Sequence, residues 1–236
     1  MSHPEPHEQR GCCTAMMSRW WRWWHKRSEP SSERWVMIDV ETTGLNPHHD
    51  ALLCVAALAI DMRGPTPQIV ASDSFEVLIA QHELRSTHDN ILLHGIGWGQ
   101  QREGEPMQQA LEALTAWVAD APLLAYHAAF DQEVLRQAYK RSRLQQPEWQ
   151  WLDMADLLPA AYPAIAARSL DQWMQHLQVR CVRRHQAIAD VWATAQLFLK
   201  AWPLWQRQQL QSWPDLYRRA EQERWLRNSG SALKGR

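Results

Sequence analysis

Ten consecutive apolar residues at 51–60, Ala-Leu-Leu-Cys-Val-Ala-Ala-Leu-Ala-Ile, are long enough for a strand buried on both faces. Just upstream, 35–41 is β-rich and apolar until its end, where Asp39 and Glu41 stand one residue apart. Gly44, Asn46 and Pro47 mark the turn between the two runs. A second turn at 61–65 leads into a third strand at about 68–79, so the chain opens with an antiparallel sheet.

Helical periodicity follows. At 107–120, Met107, Ala110, Leu111, Leu114, Trp117 and Val118 form one stripe. A short buried strand at 122–126 precedes a helix at about 130–143 with Phe130, Val134, Leu135 and Ala138 on one face. A strand-like 149–152 then leads to short helices near 154–161 and 170–176. A long helix is expected at about 186–202, its core face made by Ile188, Val191, Trp192, Ala195, Phe198, Leu199 and Trp202. The order β-β-β-α-β-α-β-α predicts an α/β layered domain with a mixed sheet.

The chain has 236 residues, 45% hydrophobic and 22% charged, which suits one soluble domain with short extensions and excludes a disordered chain or a repeat array. The expected division is a basic, Trp-rich extension at 1–33, a packed domain at 34–202 and a basic helical extension at 203–236. Within the first, Arg19-Trp-Trp-Arg-Trp-Trp-His-Lys-Arg27 reads as a short basic amphipathic helix. It suits a protein partner, an anionic surface or a nucleic-acid strand, and equally a cover over its own domain. In the last, 212–215 has capping-box spacing before a helix at about 214–227. Four cysteines without a CxxC pair support neither a disulfide framework nor a zinc knuckle. No apolar run has signal-peptide or membrane-spanning length, and the expected location is the cytoplasm.

Side chains at i and i+2 of a strand share a face, so Asp39 and Glu41 are forced together. Such a pair at the end of an apolar strand holds a cation or shares a proton. Asp131 follows an apolar strand at the start of a helix, where it also suits the helix dipole. His185 and Asp190 lie five residues apart, about 140° around a helix, and converge only if His185 lies on the preceding loop or a frayed first turn. His48-His49-Asp50 sits in a turn and is a weak alternative metal cluster.

Taken in order, Asp39-Val-Glu-Thr-Thr-Gly-Leu45, His127-Ala-Ala-Phe-Asp131 and His185-Gln-Ala-Ile-Ala-Asp190 resemble the motifs of the DEDDh branch of the DnaQ-like 3′-to-5′ exonuclease family. Leu93-His-Gly-Ile96 and Ser169-Leu-Asp171 are similar to the family's intervening segments, and the resemblance covers roughly 34–200. One position departs, since the family's usual Asn in the second motif is Ala128 here. The resemblance implies an RNase H-like fold, a mixed five-stranded sheet flanked by helices. It implies Asp39, Glu41, Asp131 and Asp190 as ligands of two divalent cations, Mg²⁺ or Mn²⁺, and His185 as the general base. Val40, Thr42 and Phe130 would line the pocket for the terminal nucleotide, His94 would contact it, and Leu45 would wedge against a base. The implied activity is release of nucleoside 5′-monophosphates from 3′ ends of single-stranded DNA in proofreading or repair. The alternatives are the same chemistry on RNA, and a weakly catalytic nucleic-acid-binding or polymerase-associated module. Either terminal extension would serve a polymerase or another protein partner.

Overall fold

The computed structural model describes residues 33–83 and 86–233. The Trp-rich segment at 19–27 and the rest of the expected N-terminal extension up to residue 32 lie outside them. Three strands, β1 (Arg34–Thr42), β2 (Leu52–Asp61) and β3 (Gln68–Leu78), pair antiparallel. Two short strands, β4 (Leu123–Ala125) and β5 (Trp151–Asp153), then add in parallel on the other side of β1. The sheet order is β3-β2-β1-β4-β5, so β1 is central. This is the mixed five-stranded sheet expected from the sequence.

The strand period of two splits β1 between two cores. Val36, Ile38 and Val40 face α3 (Met107–Val118) and α4 (Ala128–Arg141). Trp35 and Met37 face the opposite layer, which contains α5 (Met154–Ala161), α6 (Leu170–His176) and α7 (Ala187–Arg207). Asp39 and Glu41 continue the parity of Trp35 and Met37, so the packing that buries the tryptophan also aims both carboxylates at the α7 side.

Two helices have no counterpart in the expected order. These are α1 (His88–His94) and α2 (Trp98–Glu103). α1 is defined by its ends, the capping box of Thr87 with Asn90 and the left-handed Gly95 at φ 75°. It exposes Leu92 and Leu93 and buries only His94, so no apolar stripe announces it.

The long helix passes through Pro203, so the expected boundary at 202 falls inside α7. Proline there removes the bond to the Leu199 carbonyl. The neighbouring Lys200 carbonyl accepts a bond from the Tyr162 hydroxyl at 3.0 Å, and fully or nearly fully buried Trp202 and Trp205 anchor the helix on either side. Ser212 then caps the last helix, α8 (Trp213–Leu233), its Oγ accepting from the Asp215 amide at 3.3 Å. α8 packs on α5 through buried Leu216 and Ala220. Trp213 meets Trp35 edge-on, ring centroids 5.0 Å apart. Arg224 and Arg227 of α8 grip the fully buried Asp156 of α5 at 3.0 and 2.5 Å. The C-terminal segment is thus tied into the same core as the expected domain.

Candidate metal centre and nuclease site

The C-terminal end of β1 brings the acidic residues together. Ligand oxygens of Asp39, Glu41 and Asp190 lie within 4.8 Å of one another, the one group with metal-ligand spacing among the described residues. Asp131 adjoins it from the other layer. Its Oδ1 accepts the Val40 backbone N–H at 3.1 Å, which fixes the first turn of α4 against β1, and the Asp39 charge acts on it.

Two strained backbones deliver the helical carboxylates. His127 and His185 have φ of 64° and 60°, the left-handed region that non-glycine residues rarely adopt. Each stands at the end of the loop leading into α4 or α7. Asp153 receives the His127 N–H at 2.9 Å while capping α5 through Ala155 at 2.8 Å. Asp190 receives the His185 N–H at 3.1 Å on Oδ2. His185 therefore does lie on the preceding loop, the condition for meeting Asp190. Its ring is not part of the 4.8 Å group.

Burial dominates the electrostatics. It raises the Asp39 carboxyl to about 8, with Asp190 adding to the effect and Arg184 opposing it. It raises Glu41 to about 9, reinforced by the charges of Asp39 and Asp190 and again opposed by Arg184. Burial also holds Asp131 well above the ordinary carboxylate range, with the Asp39 charge next in weight. Without a cation, Asp39 and Glu41 keep protons at neutral pH. All-oxygen donors at this spacing and charge fit a divalent metal ion.

The turn after β1 is built around Asp50. The Asp50 carboxylate accepts from the Asn46 amide at 2.7 Å and the Thr43 hydroxyl at 3.3 Å. A Cβ on Gly44 would stand 2.6 Å from Oδ2 of Asp50, so the glycine leaves room for this staple. Asp50 is occupied structurally and His48 pairs with Glu133 at 3.5 Å, so the turn holds no metal cluster. Leu45 stands at its tip, 91% exposed.

The other expected contacts differ in character. Val40 is buried, and partly buried Phe130 packs in the same cluster. The Thr42 hydroxyl donates to the Gly44 carbonyl at 2.5 Å. His94 is 2% exposed, its Nδ1 accepting from the Ile96 N–H at 3.0 Å while the buried Nε2 has no protein partner. Ala128 is buried against apolar side chains.

Sequence reasoning missed Arg184, Cys181 and Asp153. Arg184 forms short ion pairs with Asp190 and with Asp171. The Cys181 thiol lies 3.6 Å from Asp190 Oδ1. Arg184 adjoins His185 in sequence and Asp153 ends the short strand β5, the signals that could have found these two.

Three comparisons bear on this geometry. The RNase_T exonuclease family matches residues 36–198. The DNA polymerase III PolC-type proteins of Bacillus subtilis and Bacillus cereus are 29% and 26% identical over 169 and 170 residues, covering 71% and 72% of this chain. The chain spans 11% of the length of each. Escherichia coli exonuclease I, solved with a dT13 oligonucleotide, superposes with a TM-score of 0.64 at 19% identity, covering 74% of this chain and 42% of that one. The nuclease domain of 3′hExo, a DEDDh family member bound to rAMP, superposes with a TM-score of 0.60 at 15% identity, covering 71% and 90%. With the matched segment running from β1 through most of α7 and enclosing every acidic residue of the site, this chain belongs to the DnaQ-like exonuclease family.

Proposed function

We propose that the protein is a metal-dependent 3′-to-5′ exonuclease that removes nucleoside 5′-monophosphates from single-stranded DNA 3′ ends, in proofreading or repair. The observation that carries this is the convergence of Asp39, Glu41 and Asp190 at the end of β1, with Asp131 hydrogen-bonded beside them. Asp39, Glu41, Asp131 and Asp190 would hold two Mg²⁺ or Mn²⁺ ions. When bound, such ions neutralise the four carboxylates and the charge that builds on phosphorus and on the leaving 3′ oxygen.

His185 takes the proton of the attacking water as the new P–O bond forms and the bond to the 3′ oxygen breaks. Its backbone anchor on Asp190 ties the base to a ligand position. Val40 and Phe130 form the apolar floor under the terminal nucleoside, and Thr42 lies at the end of the same strand. His94, buried with its Nε2 unpartnered, is the further residue assigned to that nucleotide. Leu45, presented by the Asp50-stapled turn, wedges against a base.

DNA is favoured because the PolC-type relatives are DNA polymerases and exonuclease I was solved on dT13. RNA is the second reading, supported by the rAMP bound to the 3′hExo domain. The terminal segments at 1–33 and 203–236 are the places where a polymerase or another protein would attach. No helix among the described residues is long and apolar enough to cross a membrane.

The test is a gel assay of 5′-labelled single-stranded DNA and matched RNA in Mg²⁺, Mn²⁺ or EDTA, beside Asp39→Ala and His185→Ala. A metal-dependent ladder shortening from the 3′ end and lost in both variants is expected, with DNA the better substrate. No cleavage of either polymer by a folded protein would overturn the reading.

A further inference from the structure

Arg184 lies where the carboxylates converge. Its Nε donates to Asp171 Oδ1 at 2.5 Å, and its NH1 pairs closely with Asp190 Oδ1. The two partners are unequal: the Asp190 side chain is 7% exposed and that of Asp171 is 62% exposed. The guanidinium spans from the surface into the acidic centre, where its field also reaches Asp39 and Glu41.

Both oxygens of Asp190 are engaged by the 181–185 loop. Oδ1 takes Arg184 and the Cys181 thiol, and Oδ2 takes the His185 N–H. A divalent ion held by Asp39, Glu41 and Asp190 would bring a second positive centre to the oxygen that Arg184 already neutralises. Two cations at that distance repel, and Asp171 offers the arginine an exposed carboxylate to which it is already bonded.

We propose that Arg184 is a built-in competitor for the divalent cation: its guanidinium neutralises Asp190 in the metal-free protein and withdraws onto Asp171 when the metal binds. The inference rests on the reading of this cluster as a metal centre. Arg184 then sets the metal concentration at which the site loads, and because it adjoins His185, its withdrawal moves the loop that carries the base.

The experiment is calorimetric titration of Mn²⁺ into the full chain for wild type, Arg184→Gln, Arg184→Lys and Asp39→Asn, with melting curves in EDTA. Removing an ion pair that opposes the ion should tighten Mn²⁺ binding by roughly two- to fivefold in Arg184→Gln. The same substitution should lower the metal-free melting temperature and leave the Mn²⁺-saturated one equal to or above wild type. Arg184→Lys keeps the charge but loses the fork that spans both aspartates, and should tighten binding by a smaller factor. If wild type binds Mn²⁺, Asp39→Asn abolishes it and neither arginine variant tightens it, the competitor role is overturned while the metal centre stands. An Arg184→Gln protein with unchanged Mn²⁺ affinity and a raised KM for DNA would overturn it too, making the arginine a phosphate ligand. A wild type that binds no Mn²⁺, or an Asp39→Asn protein that binds it as well as wild type, overturns the metal centre and the competitor together.

Discussion

Raising the pH of the metal-free protein should destabilise it, and a divalent ion should cancel the effect. Asp39 and Glu41 release their protons at about 8 and about 9 in the folded chain, against the ordinary range near 4 in the unfolded one. Between about pH 5 and about pH 8 the folded state therefore carries up to two more protons at this site than the unfolded state. Stability is fully present below the unfolded values and falls as pH rises through that window. The ceiling is about 1.4 kcal/mol per proton per pH unit, or about 3 kcal/mol for the pair. At roughly 2–4 °C per kcal/mol for a domain of this size, the ceiling is about 6–12 °C per pH unit. The opposing Arg184 charge is already contained in these values, and a fall of about 6 °C per pH unit, the lower end of that range, is expected. Melting curves in EDTA should be compared between wild type and the Asp39→Asn, Glu41→Gln double variant. Glu76 and Asp153, also raised by burial, titrate equally in both proteins, so the difference reports the pair together with its effect on Asp131. Saturating Mg²⁺ should flatten the wild-type curve and leave the variant unmoved. Parallel curves for the two proteins in EDTA would refute the reasoning.

Three further outcomes are expected. His185→Ala should lower kcat by about 10²- to 10⁴-fold in steady-state assays while Mn²⁺ still binds, whereas Asp190→Asn should lose both activity and metal affinity. The Arg224→Ala, Arg227→Ala double variant leaves the buried Asp156 carboxylate without its partners and should cost about 3 kcal/mol in urea unfolding, far more than exposed arginines ordinarily contribute. Leu45→Ala should leave the melting temperature unchanged, because the side chain is 91% exposed, yet raise KM for single-stranded substrate several-fold.

What could be read from the chain follows the strength of local signals. The run 51–60 and the acid-ended 35–41 segment announce a central strand and its chemistry, because burial on both faces demands continuous apolar sequence. His185 and Asp190 were legible as a pair with a geometric condition attached, and the left-handed backbone at His185 is how the chain meets it. α1 and α2 were not legible, since seven and six residues defined by caps leave no periodicity. The passage of α7 through Pro203 was hidden for the opposite reason: buried Trp202 and Trp205 override a local rule that reads proline as a stop. Arg184 gave only a sequence-neighbour signal, because its reach to Asp171 and Asp190 depends on where α6 and α7 lie in space.

The alternation of β1 also sets which changes of length the chain can survive. Trp35 and Met37 enter one core, Val36, Ile38 and Val40 the other, and the acidic pair inherits its direction from that parity. Deleting one residue between Met37 and Asp39 would present both carboxylates to the α3 and α4 layer, away from Asp190, even though every catalytic residue type remained in the sequence. Deleting two would shorten the strand and restore the direction. Among relatives of this chain, length changes before the acidic pair should therefore occur in even steps within the strand, with odd ones confined to the turn beyond it.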